Sequence, residues 1–497
     1  MTQTLVIADR IVTGIGPDGE PEVLDTAAIL VEGDTICAIG PAAELRRDHP
    51  DARQIGGSGF VAIPGLVNAH HHVGLTPFQM GARDQPLELW FPERLGMRDI
   101  DARLDTLFSA FEMIASGVTT VQHLHSRAPG DTDAVLARAD TIIGAYKELG
   151  MRASYSFALR DQNRMIYADD QDFVASLPEP LRKPAAEYLS GFGLPLSEQV
   201  AVFHALRERW SDDAHVAIQI APSNLHWLSD AAIESAARMA EDTGAPMHMH
   251  LLETPYQKEY ARRRTGGSAL SFMDRFGLVG PGLTIGHGVW MDEDDINLLA
   301  ERGACLCHNC SSNLRLKSGT LDLNRLIARG IPVALGMDEA GINDDRDMLQ
   351  EMRLALTLHR PSGHDAPCPT AAEIFRMATE TGARTTPHGA RIGRLSPGGL
   401  ADIVLVDWKT VTYPYQDSAL PIVDVLLRRA KPDAVHKVII GGEVVYEGGR
   451  FTRIVCDAVL EEIAESLAGP LSPQDTAMRQ LAGELLEPVR GFYKGWV

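Results

Sequence analysis

Pro64-Gly65-Leu66-Val67-Asn68-Ala69-His70-His71-His72 decides the fold. It is an apolar run that ends in three histidines. Residues two apart on an extended segment point the same way, so His70 and His72 can meet one cation while His71 points elsewhere. Working outward, seven further apolar segments alternate with helical patterns. The expected strands are Val61 to Ala69, Val118 to His123, Arg152 to Ala158, Val216 to Ala221, Pro246 to Leu251, Leu283 to His287, Ala304 to His308 and Ile331 to Met337. Helical periodicity between them predicts Thr106 to Ala115, Asp230 to Thr243, Asp292 to Arg302 and Arg346 to His359. Eight strands alternating with helices over about 300 residues imply a (β/α)8 TIM-like barrel. An open doubly wound sheet is the alternative, but no G-x-G-x-x-G leads from a strand into a helical pattern and no phosphate-binding G-x-x-x-x-G-K-[ST] is present.

The flanks read as strands. Thr4 to Val12, Ala27 to Val31 and Thr35 to Ile39 lie at one end. Ala401 to Val406 and the hairpin Val435 to Ile440, Gly441-Gly442, Glu443 to Tyr446 lie at the other. Each group alone is too short to bury both faces of its strands. The expectation is an α/β chain with three parts: a small β-sandwich domain built from both chain ends (1–60 plus 390–452), a catalytic barrel (61–389), and a helical tail (453–497). Val459, Leu460, Ile463 and Leu467 give the tail an amphipathic face for packing or dimer contact.

The chain of 497 residues carries 46 basic and 67 acidic side chains, a net charge of -21. That balance argues against nucleic-acid binding and against docking on anionic membranes. No window approaches the apolar length of a membrane span. Met1-Thr2-Gln3-Thr4-Leu5 lacks the basic and apolar pattern of an export signal, and six cysteines in 497 residues suit a reducing compartment, so a cytoplasmic location is expected. A small-molecule substrate and a homo-oligomer, dimer or larger, are the expected partners.

Barrel enzymes place chemistry at the C-terminal ends of strands. His70 to His72, His123 and His125, His248 and His250, His287, His308 and Asp338 all fall there. Their convergence on one mouth is what a metal site requires. His123-x-His125 reads as pocket lining. Cys305, Cys307, Cys310 and His308 read as a buried strand and its end, where free cysteine behaves as a small hydrophobe.

The flanking residues carry a resemblance. The run Asn68-Ala69-His70-His71-His72 resembles the N-A-H-x-H signature of the amidohydrolase superfamily. His250-Leu251-Leu252-Glu253-Thr254, Gly286-His287-Gly288, His308-Asn309-Cys310-Ser311-Ser312-Asn313-Leu314 and Leu335-Gly336-Met337-Asp338 resemble, in order, elements of its aminohydrolase branch, the triazine hydrolase and nucleobase deaminase group. Pro397-Gly398-Gly399-Leu400-Ala401-Asp402-Ile403-Val404 is similar to the run that opens that branch's closing β domain.

The resemblance implies one divalent metal, zinc or else Fe2+, on His70, His72, His250 and Asp338. It also implies Asp338, Glu253 and His287 as the catalytic groups. No lysine stands on the fourth strand to bridge a second metal. The implied chemistry is hydrolysis of a non-peptide C–N bond, foremost hydrolytic deamination of an N-heterocyclic amine. Cleavage of an amide, urea or carbamate-like bond is the second reading, and a non-catalytic ligand-binding relative the third. Where the branch continues its Asp with a small residue and then S-N, this chain has Glu339-Ala340-Gly341-Ile342-Asn343-Asp344-Asp345. Gln79, Trp90 and Phe91 lie where relatives build a lid. Gln79, His125, His226, Trp227 and His308 are the candidate substrate contacts.

Overall fold

A computed structural model of the chain describes residues 3–72, 74–126 and 129–497; Met1 and Thr2 of the opening lie outside it. The chain begins with β1 (Gln3–Ile15), antiparallel to β2 (Pro21–Glu32), which pairs with β3 (Thr35–Pro41). A fourth strand, β4 (Arg53–Pro64), runs parallel to β1.

The barrel strands follow: β5 (Leu66–His71), β6 (Val118–His125), β7 (Arg152–Leu159), β8 (Val216–Ile218) with the short β9 (Ala221–Pro222), β10 (Met247–Leu251), β11 (Leu283–His287), β12 (Cys305–His308) and β13 (Val333–Leu335). They form two parallel runs, β5 to β8 and β10 to β13. Single parallel bridges join the runs at both seams, Ile220 to Met247 and His71 to Asp338. Helices between the strands supply the outer ring, as their caps foretell. Asp292 and Asp295 form a capping box on Glu293–Arg302, and Ser229 caps Asp230–Thr243.

The first barrel strand is shorter than expected. Val61, Ala62, Ile63 and Pro64 belong to β4 and pair with β14 (Ile403–Asp407). The break falls at Pro64-Gly65: proline donates no hydrogen bond, and a Cβ on Gly65 would lie 2.1 Å from Thr119 Oγ1. Pairing β4 with β14 unites the two chain ends. With β15 (Val435–Ile440), β16 (Glu443–Glu447) and β17 (Arg450–Phe451), they form one continuous sheet in the order β17-β16-β15-β14-β4-β1-β2-β3. Hydrogen bonding thus makes a single eight-stranded sheet of what the sequence suggested as a sandwich. Ile403 and Leu405 join an apolar cluster with Val6, Ile29 and Ile439, whereas Val404 and Val406 face the barrel core. Burial on both faces explains an uninterrupted apolar strand.

Asp402 locks sheet to barrel. Its carboxylate accepts a bidentate pair of bonds from Arg152 on β7, 2.7 and 3.1 Å, with both side chains buried. It also accepts the Gly441 N–H at 2.8 Å, and its carbonyl accepts that of Gly65 at 2.9 Å.

The tail forms two helices, Cys456–Ala468 and Pro473–Phe492. Val459 and Ile463 are buried, but Leu460 is exposed, because the packed stripe is narrower than the apolar pattern. A capping box of Ser472 and Asp475 starts the second helix. Its Leu481, Leu485 and Val489, with Tyr493 just past its end, pack with Leu89, Leu95 and Tyr167 over the barrel mouth. Among the described residues, no helix is long and apolar enough to cross a membrane.

Candidate active site

Three imidazole nitrogens converge at the C-terminal mouth. His70 Nε2 lies 3.0 Å from His72 Nε2 and 3.2 Å from His250 Nε2, and the last two are 3.0 Å apart. Asp338 Oδ1 stands 3.3 Å from His72 Nε2 and 3.7 Å from His70 Nε2. The far side of each ring is already engaged. His72 Nδ1 faces the Leu124 carbonyl at 2.5 Å, His250 Nδ1 that of Ser223 at 3.0 Å, and His70 Nδ1 faces His248 Nε2 at 2.8 Å. A donor role at Nδ1 leaves the Nε2 lone pairs aimed at one point. Burial, reinforced by the neighbouring imidazoles, holds His70 and His250 well below the usual histidine range, so both are neutral. Neutral nitrogens with one carboxylate suit a borderline divalent ion.

Local sequence explains the convergence. Asn68 Oδ1 accepts from Met337 N at 3.0 Å and His70 N at 3.3 Å, tying β5 to the last strand. Gly336 admits His70: a Cβ there would lie 2.5 Å from the His70 Cβ. His71 turns away, toward the Asp338 carbonyl and Ser109 Oγ. Three non-glycine residues at the strand ends have left-handed backbones: Leu252 (φ 52°), His287 (φ 72°) and Asp338 (φ 56°). Such geometry costs on the order of 1–3 kcal/mol each and concentrates where function over-determines the backbone.

Glu253 and His287 stand beside the nitrogen cluster. His287 Nε2 is 3.6 Å from Asp338 Oδ2 and 3.8 Å from Glu253 Oε2. Its Nδ1 meets Asn313 Oδ1 at 2.8 Å. Ser312 Oγ donates to Asp338 Oδ2 at 2.7 Å, and Ser318 Oγ to Glu253 Oε1 at 3.1 Å. The Glu253 backbone N–H donates to Gln257 Oε1 at 2.9 Å, and Thr254 caps the helix Pro255–Thr265. Burial pushes the Glu253 carboxyl up to about 7; the Asp338 and Glu88 charges add to this and His287 opposes it.

A narrow cavity of about 40 Å³ joins these groups to Trp90, Phe91, Trp227, Arg94 and Glu339. Trp90 and Phe91 sit on the helix Leu87–Glu93, in the connection that follows β5. Beside it lies a chamber of about 370 Å³, which also reaches His72 and Arg94 and takes in His125 and His123.

The structure brings His70, His72, His250, Glu253, His287, Asp338 and Trp227 together and puts His125 next door. Three expected substrate contacts lie elsewhere. Gln79 is exposed, and its Oε1 accepts from Thr76 N within a turn. His226 is buried under Tyr167, with ring centroids 4.0 Å apart. His308 faces His359 at 2.9 Å, in a buried group with Cys310. Their residue types fit a site, but local chain direction turns His226 and His308 into packing and leaves Gln79 in an exposed turn. Sequence reasoning missed Arg94 and Ser318. It placed His248 at a strand end and read the tail as helical, but not the bond from His248 to His70 or the surface the tail covers. Ser312 and Asn313 lay inside the quoted His308 to Leu314 run.

Known proteins resemble this chain in sequence and in fold. The family described as "Amidohydrolase family" matches residues 61–445, and an "Imidazolonepropionase-like composite domain, bacteria" matches residues 27–52. A 5-methylthioadenosine/S-adenosylhomocysteine deaminase of Syntrophobacter fumaroxidans is 30% identical over 92% of this chain and 96% of its own. A 5'-deoxyadenosine deaminase of Methanothermobacter thermautotrophicus is 28% identical over 91% and 97%. Among solved structures, an adenosine deaminase from Xanthomonas campestris with bound zinc aligns at TM-score 0.78 and 25% identity, covering 96% of this chain and 99% of that one. The zinc complex of an atrazine chlorohydrolase from Arthrobacter aurescens aligns at TM-score 0.79 over 96% and 100%; at 23% identity it supports the barrel fold alone. The extent of the family match, together with a relative 30% identical along nearly the whole chain, places this protein in the amidohydrolase family.

Proposed function

We propose that the protein is a metal-dependent hydrolase that releases ammonia from an N-heterocyclic amine, with His70, His72, His250 and Asp338 holding one divalent ion, zinc foremost. Such an ion supplies Lewis acidity that brings the pKa of water toward neutrality. The observation that carries the reading is Glu253: a buried carboxyl beside His287, outside the nitrogen cluster, with its proton affinity near neutrality.

Water adds to the ring carbon that bears the amine, and the amine leaves as ammonia only after gaining a proton. Asp338 Oδ2, held by Ser312, takes the proton from water. Glu253, oriented by Ser318, receives and returns a proton at the ring nitrogen and the leaving amine. A group with pKa near 7 exists in both forms at neutral pH, as this role requires. His287, fixed by Asn313, orients the attacking oxygen. Trp90, Phe91 and Trp227 offer aromatic faces to a flat ring. The relatives named for adenosine derivatives support a purine-sized ring, and the 370 Å³ chamber gives a substituent somewhere to go.

Hydrolysis of an amide, urea or carbamate-like bond remains the second reading, favoured by Glu339 in place of a small residue. An assay of a panel of heterocyclic amines and N-acyl or urea compounds for ammonia and for larger amines separates the two. Ammonia supports deamination, and a larger amine as the sole product refutes it.

We assign residues 1–64 with 390–452 to the composite β unit, 65–389 to the catalytic barrel and 453–497 to the helical tail. Sparse, free cysteines support a cytoplasmic setting. Exposed Tyr413, Tyr415 and Leu420 support a homo-oligomer, which light scattering tests.

A further inference from the structure

Glu339 is the residue that departs from a small neighbour after the ligand Asp338, and its carboxylate is only half used. The side chain is buried, at 7% exposure. Oε1 pairs with Arg94 Nη1 at 3.0 Å, and Arg94 in turn lies over the Trp90 ring, 4.6 Å from its centroid. The Glu339 carbonyl accepts from the buried Arg346 Nη2 at 2.9 Å. Both ends of the residue are therefore held in place. Oε2 is buried and, among the described residues, has no hydrogen-bond partner. The residue lines the same cavity as His72, His250, Glu253 and Trp90.

A buried charged acceptor left unpaired is expensive, and pairing it recovers more than a neutral hydrogen bond would. The missing partner is a donor, because a carboxylate in an ion pair with Arg94 offers only lone pairs. In the deaminase reading the leaving amine is served by Glu253. A donor for Glu339 is then a second N–H on the ring. An adenine substituted at N9 has no such group, since its 6-amino group carries the only N–H bonds on the ring.

We infer that Glu339 is a specificity-determining residue that accepts an N–H of the substrate other than the departing amine. The substrate class is thereby narrowed to amino-heterocycles with a second N–H donor: a second amino group or a protonated ring nitrogen. This inference rests on the deaminase reading of the same cavity.

The test uses the zinc-loaded full chain and two matched pairs, 2-aminoadenosine against adenosine and adenine against 9-methyladenine. For each, kcat/KM is measured by ammonia release, with the ring product identified, and Kd by competition. In at least one pair the ring with the extra N–H should be favoured about ten- to a hundredfold, the range of one hydrogen bond to a charged acceptor. E339S and E339Q should bring that ratio toward one while metal content stays at the wild-type level. E339Q preserves size and guards against a folding defect in E339S. The inference is overturned by ratios near one in both pairs, by a preference that survives in both variants, or by loss of metal in both variants, which would make Glu339 a ligand. If no ring releases ammonia, the deaminase reading fails, and the ratio of Kd values still decides the role of Glu339.

Discussion

The imidazoles of His72 and His250 are stacked, 13° between their planes, with their Nε2 atoms 3.0 Å apart and each Nδ1 facing a backbone carbonyl. One ring is carried by the first barrel strand's end and the other by the fifth, so the barrel itself sets their distance. A pair so fixed is preorganised for one ion. His72→Ala is expected to abolish stoichiometric zinc by elemental analysis, and His250→Ala likewise. His248→Leu removes only the partner of His70 Nδ1 and should weaken zinc about 10- to 100-fold without emptying the site. Full zinc in His72→Ala would remove it from the ligand set.

Glu253→Gln should retain zinc and bind substrate, yet lose a factor on the order of 10²–10⁴ in kcat, because the amide cannot carry the proton. KM should move far less. Turnover near the wild-type rate would leave the proton to another group and favour the second reading of the reaction.

Asp402→Ala leaves Arg152 buried without its partner. Equilibrium denaturation should show a loss of about 3–5 kcal/mol, whereas replacing both residues by leucine should cost much less. A single-variant loss within experimental error of zero would mean that this pair does not fasten the sheet to the barrel.

Glu351 offers a pH test away from the chemistry. Its carboxyl is buried and pushed up to about 7, although Ser311 donates to it through both its backbone N–H and its hydroxyl. A folded-state value above the unfolded one means that the native state holds the proton more tightly. The stabilisation is complete below the unfolded value, near the ordinary 4.5, and is lost as pH rises through about 7. Tm should therefore fall across this window in the wild type and fall less in Glu351→Gln. Equal slopes in the two proteins would count against a buried, protonated Glu351.

The barrel was legible because its strands are apolar runs separated by helical periods, and because ligands at strand ends sit at fixed spacing, as in His70-x-His72. The boundary at residue 61 was not: Val61-Ala62-Ile63 reads the same whether it pairs with a barrel strand or with Val404 of the outer sheet. His308 shows the other limit. A histidine at a strand's end is a candidate ligand in sequence, but the path of the following chain decides whether it faces the mouth or, as here, His359. Arg94 and Glu339 lie 245 positions apart, and no periodicity links them. The tail helix over the mouth was equally hidden, since an amphipathic face does not name the surface it covers.

The most direct measurement is ammonia release from N-heterocyclic amines by the full chain before chelation, after chelation, and after zinc is returned. Ammonia is expected in equal amount to the oxo product, to be lost with the metal, and to recover with about one zinc per chain. Ammonia release that survives complete metal removal, or a zinc-loaded protein that yields only larger amines, would contradict metal-dependent deamination.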